Sequence, residues 1–167
     1  ETPARLVLLL GNHEDAWLRA RREGAPEFVI PRVNGCYTTY RSFTGGAPPT
    51  REEDPTAYEL RSMATGAFLP EDVVEWMRGL SLFHEDDHAI YVHAGLPFEE
   101  GRWLHPSEVK NTRPLLWQRS RAFYEGYRGK RVVFGHTPVK KLPQGESTHT
   151  PADSLDVFVT ESLVGLD

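Results

Sequence analysis

Apolar residues come in short blocks along this chain, and three of the blocks break on a loop that carries both glycine and histidine. Leu6-Val7-Leu8-Leu9-Leu10 is a continuous apolar run ended by Gly11-Asn12-His13-Glu14. A run without alternation predicts a strand buried on both faces, as parallel strands are. Residues 14–22 then place acidic side chains in a first turn and basic ones in a last turn, with Gly24 beyond, which predicts a helix. Residues 31–56 are dense in Pro and Gly and read as an irregular surface excursion. Helices are predicted over 56–65 and 71–79, the second opened by Pro70. Segments 80–84 and 89–92 read as two strands of a hairpin, the second running into His93-Ala94-Gly95. Leu115, Leu116, Phe123 and Tyr127 have helical spacing across 113–127, and a strand over 131–134 delivers Gly135-His136-Thr137-Pro138. One more strand is predicted at 157–159, with no internal repeat and no low-complexity tract.

Strands that each hand over to a polar loop give an α/β fold, and ligands of open α/β sheets bind beyond the carboxyl ends of strands. The three loops can therefore converge on one crevice. At 167 residues and 39% hydrophobic content, the chain has the length of one domain, residues 1–167, with a substantial core.

Asn12, His93 and His136 bring one amide oxygen and two imidazoles, a donor set suited to borderline divalent metals such as Mn, Fe or Zn. The adjoining Gly11, Gly95 and Gly135 let the backbone turn sharply beside each donor. A single histidine at a strand end is more often a hydrogen-bonded structural residue than a ligand. Three glycine-flanked loops in one chain favour the metal reading. His84, His88, His105 and His149 fit no such pattern, and Trp17, Trp76 and Trp117 fall in helical segments as core-packing residues.

Charge narrows the partners. With 19 basic against 24 acidic residues, a net charge of −5 and no basic stripe, the chain is not suited to extended nucleic acid. Cys36 is the only cysteine, so no intrachain disulfide can form and a cytoplasmic location fits. The longest apolar run is far too short to span a bilayer, so a membrane role is not expected.

The order Gly-Asn-His-Glu, Val-His-Ala-Gly-Leu, Leu-Leu-Trp-Gln-Arg and Val-Val-Phe-Gly-His-Thr-Pro resembles the phosphoprotein phosphatase branch of the calcineurin-like metallophosphoesterases. The resemblance extends over nearly the whole chain and is nearest to bacterial serine/threonine phosphatases and symmetrical diadenosine tetraphosphatases. It implies a sandwich of mixed sheets flanked by helices and a centre of two divalent metal ions. Asn12, His93 and His136 would hold one metal, His13 would be the general acid, and Glu14 would orient its loop. Arg119 would bind the substrate phosphate.

Such a family carries Gly-Asp-x-His and Gly-Asp-x-x-Asp-Arg-Gly ahead of the Gly-Asn-His-Glu loop, supplying the bridging aspartate. Neither occurs in this sequence, and the resemblance reads the chain as cut at both ends. The chain alone is then expected to be weak or inactive. The implied reaction is hydrolysis of phosphate esters, with phosphoserine or phosphothreonine protein as substrate. The alternatives are a symmetrical dinucleoside polyphosphate hydrolase and a non-catalytic phosphate- or protein-binding remnant.

Overall fold

The computed structural model describes residues 5–153 and 155–167. The chain divides into two compact units, one from His13–Gly79 and one from Leu80–Asp167 with the segment ending at Asn12.

The first unit is helical: α1 Asn12–Glu23, α2 Pro26–Val29, α3 Cys36–Thr44, α4 Ala57–Ala64 and α5 Glu71–Arg78. In α1, Ala16, Trp17 and Ala20 are buried, which is the i, i+4 stripe of a core-facing helix. The Trp17 ring packs edge-on against Phe28 at 5.6 Å and Phe68 at 5.2 Å, a geometry that aromatic quadrupoles favour. At the start of α4, Thr56 and Glu59 form a reciprocal capping box. Two expectations fail in this unit. Residues 31–56 are not irregular throughout, because Gly35 and Gly45, both at positive φ, bracket α3 and act as its ends. Trp76 is 52% exposed and is no core residue.

The second unit contains β1 Phe83–Glu85, β2 Ile90–Val92, β3 Phe98–Glu99, β4 Arg102–Trp103, α6 Arg113–Trp117, α7 Arg121–Gly126, β5 Val132–Phe134, β6 Phe158–Val159 and β7 Leu163–Gly165. It is mixed α/β. Its main sheet has the order β1-β2-β5-β7-β6, and β3 and β4 form a separate hairpin. β1 and β2 pair antiparallel, as predicted. β2, β5 and β7 run parallel, with Ile90 opposite Val132 and Val132 opposite Leu163. Those residues are at most 3% exposed and join Phe123, Phe134 and Phe158 in one apolar core.

Four features here differ from the sequence reading, the first being the β3–β4 hairpin, where no strand is predicted. The run Leu6 to Leu10 is no doubly buried strand: Leu6 is 80% and Leu8 44% exposed. Among the described residues it pairs through one isolated bridge, Leu9 with Ser81, so only one of its edges has a partner. The helix predicted over 113–127 is two helices, because Gln118 turns extended and Ser120 starts α7 by accepting from the Phe123 N–H. β7, which follows a turn closed by the Thr160 N–H donating to the Leu163 carbonyl, was not anticipated.

Candidate metal centre

β2 and β5 are parallel neighbours, so the loops leaving them emerge side by side at one end of the sheet. The register continues past the strands: the Gly135 N–H donates to the His93 carbonyl at 2.9 Å. That bond joins the two histidine loops through their backbones. Ala94 N–H donates in turn to the Leu115 carbonyl at 2.8 Å, fastening the first loop to α6.

Asn12, His93 and His136 meet there. Asn12 Oδ1 lies 2.8 Å from His93 Nε2 and 3.3 Å from His136 Nδ1, and the two rings are 5.1 Å apart between centroids. Asn12 and His136 are buried, and His93 is half-buried. Donor atoms sharing one first-row metal at about 2.0–2.2 Å each are separated by roughly 2.8–3.6 Å for angles between square and tetrahedral. The observed separations fall in that span, so the residues present fit a single divalent ion. The ring nitrogen nearer Asn12 is Nε2 in His93 and Nδ1 in His136, a detail sequence does not carry.

His136 sits at φ +65°, and the Thr137 N–H donates to the Gly135 carbonyl at 2.7 Å across it. A three-residue turn with positive φ at a side-chain-bearing centre is rare and strained. Strain of this sort costs roughly 1–3 kcal/mol and gathers where a side chain must be aimed. The turn carries the imidazole to Asn12.

Arg119 occupies the break between α6 and α7, and its Nη2 donates to the His136 carbonyl at 3.2 Å. The break is fixed from both sides by the Ser120 cap and by Gln118, whose Nε2 donates to the Leu96 carbonyl at 2.8 Å. His13 belongs to the helical unit, where its exposed ring meets Phe28 edge-on at 5.1 Å. Its role as an acid stays with the resemblance and with its place next to Asn12 in sequence. Glu14 lies in the first turn of α1, as a residue favouring the helix start.

Three of the remaining histidines have side-chain partners in the sheet unit, His84 stacking on Tyr91 at 5.8 Å. His105 lies 3.0 Å from Glu85 and 2.7 Å from Ser107, and buried His149 is 3.0 Å from Ser147 Oγ. Among the described residues no group of three or more His, Cys, Asp or Glu side chains could hold a metal. The convergent set is thus two imidazoles and an amide, with no carboxylate.

Sequence reasoning missed two contributors. Tyr124 OH and Thr137 Oγ1 are 2.9 Å apart beneath the His136 turn, and burial pushes the Tyr124 phenol above its ordinary value. Gly95, read from the sequence as a turn residue beside a donor, is also packed closely: a Cβ there would lie 2.8 Å from Gln118 Nε2 and 2.9 Å from the Phe123 ring. Compared with protein-family models, curated proteins and solved structures, the chain matches none. No helix among the described residues is long and apolar enough to cross a membrane.

Proposed function

We propose that the chain carries one metal-binding half of a dinuclear phosphoesterase centre of the calcineurin-like kind, acting on phosphate esters. The observation that carries the reading is the convergence of Asn12 Oδ1, His93 Nε2 and His136 Nδ1 within 3.3 Å of the amide oxygen. The strained turn that aims His136 supports it, since hydrogen bonding alone needs no such backbone.

When bound, a pair of divalent ions supplies an activated water and neutralises charge on the phosphoryl group. Asn12, His93 and His136 would hold one ion. Arg119 would orient the phosphate, because a guanidinium can offer two N–H groups to two phosphate oxygens. His13 would donate a proton to the departing ester oxygen. A bridging carboxylate is not among the convergent donors, so turnover by this chain alone is expected to be slight. Phosphoserine or phosphothreonine protein is the proposed substrate, with symmetrical dinucleoside polyphosphates as the rival. The lack of a carboxylate at the donors favours a second reading, a non-catalytic phosphate- or protein-binding module.

Calorimetric titration of the chain with Mn²⁺ tests the metal site. One ion per chain is expected, with affinity reduced tenfold or more in Asn12→Ala, His93→Ala or His136→Ala. No saturable binding, or binding indifferent to all three changes, rejects the site. Slight Mn²⁺-dependent turnover of a phosphopeptide or of diadenosine tetraphosphate, lost in His13→Ala, supports the catalytic reading and separates the two substrates, whereas Mn²⁺ binding with no turnover above that of Mn²⁺ alone supports the binding module.

A further inference from the structure

The helical unit holds a concavity of about 630 Å³ whose lining includes none of the three metal donors. Volumes of ~300–1,000 Å³ are typical of small-molecule sites, which are mostly apolar with a few placed polar groups. Val29 of α2, Cys36 of α3 and Met63 of α4 form its floor, each at most 5% exposed. Pro49, Pro55 and Leu60 add half-buried apolar surface.

Segment 49–55 makes one wall and is tied back to the helices by polar contacts. Arg32 donates to the Arg51 carbonyl and to the Asp54 carboxylate. Arg41 Nη2 donates to Glu53 at 2.6 Å, and the Tyr37 hydroxyl donates to the same oxygen at 3.1 Å. Pro49 and Pro55 fix φ at either end and stiffen the segment. The wall is therefore held at its rim, and an apolar space remains behind it.

The rim carries four charged side chains, Arg32, Arg51, Glu53 and Asp54. Arg32 is paired with Asp54, and Glu53 with Arg41. Arg51 is exposed, and among the described residues its guanidinium has no partner. Glu52, next to it in sequence, does not line the concavity. The space thus offers an apolar interior and one available cation, and a guanidinium matches a carboxylate through two parallel N–H groups.

We infer that this concavity binds a small amphiphilic carboxylate, with an alkyl body over Val29, Cys36 and Met63 and its anionic head at Arg51. The inference is independent of the metal-centre reading, because it uses none of that centre's residues.

The test is calorimetry of the full chain in EDTA with octanoate, hexanoate, octanol and octylamine, which share an alkyl body. Octanoate is expected to bind once per chain. It should bind about ten- to fifteenfold tighter than hexanoate, since each buried methylene contributes ~0.8 kcal/mol. It should also bind about two- to fivefold tighter than octanol, the ~0.4–1 kcal/mol of an exposed ion pair, and tighter still than octylamine, whose cation Arg51 repels. Arg51→Gln should abolish the preference for octanoate over octanol and leave octanol affinity unchanged. Thr38→Trp, at an exposed position of α3 that lines the concavity, should fill the space and weaken all four ligands by about tenfold or more. Circular dichroism checks that both variants fold. No saturable octanoate binding, a head-group preference that survives Arg51→Gln, or normal binding by folded Thr38→Trp overturns the inference. So does a chain that sediments as a dimer and becomes monomeric in Thr38→Trp, which assigns the concavity to a second copy.

Discussion

Replacing His136 by glycine and by alanine gives a comparison in which both variants lose the imidazole and differ by one methyl group. At most positions glycine is the worse choice, by about 0.5–1 kcal/mol, because it loses more backbone freedom on folding. At φ +65° the order should reverse. A side chain in the left-handed region costs roughly 1–2 kcal/mol from the clash of Cβ with the following carbonyl, which exceeds the ~0.4–1 kcal/mol entropic advantage of alanine. The tight bond from Thr137 N–H to the Gly135 carbonyl prevents the turn from relaxing. His136→Gly should therefore be more stable than His136→Ala by about 0.5–1 kcal/mol. Urea unfolding followed by tryptophan fluorescence measures this; with a slope near 2 kcal/mol/M, the midpoints should differ by ~0.3–0.5 M. Thr38, exposed in α3, is the control, where alanine should exceed glycine by ~1 kcal/mol. If His136→Ala equals or exceeds His136→Gly in stability, the turn is not strained and its support for a metal site is withdrawn.

Gly95→Ala should destabilise by about 1–3 kcal/mol, since the new Cβ meets the fully buried Phe123, whereas Gly126→Ala meets open space and should change little; urea unfolding measures both. Glu108 is held down to about 2, first by Arg102 and then by the His105 N–H. Its folded value lies below the ordinary 4.5, so its stabilising contribution is complete above that pH and is lost as pH falls toward about 2. Side-chain NMR should place its midpoint near 2, rising toward the ordinary range in Arg102→Gln; a midpoint near 4.5 in the unsubstituted chain refutes the pairing. Burial pushes the Cys36 thiol up to about 12, so the native protein at pH 8 should react with a thiol reagent only as fast as it opens; an immediate reaction contradicts this.

The convergence of Asn12, His93 and His136 was legible because its signal is local: a glycine, a histidine and an apolar block lie within a few residues, and parallel pairing of β2 and β5 then brings the two histidine loops together. The break at Gln118 was not legible. Leu115, Leu116, Phe123 and Tyr127 keep a helical period across it, and the break is held by the Ser120 cap and by a Gln118 bond to Leu96 that sequence spacing does not record. α3 was hidden for the opposite reason, since Gly35 and Gly45 look like loop residues and are helix ends. The Leu6 to Leu10 run misled because apolar composition reports what a strand could bury, not whether a neighbour is present to bury it. The positive φ of His136 has no sequence mark at all.

The bond from the Gly135 N–H to the His93 carbonyl belongs to the peptide backbone, so any residue at either position except proline at 135 retains it. The alignment of the two imidazoles is accordingly insulated from side-chain drift. Sequences could diverge widely around β2 and β5 and still present the pair, provided that strand register survives. A one-residue insertion in either strand would do what no point change there could, leaving both histidines in the chain but separating them in space.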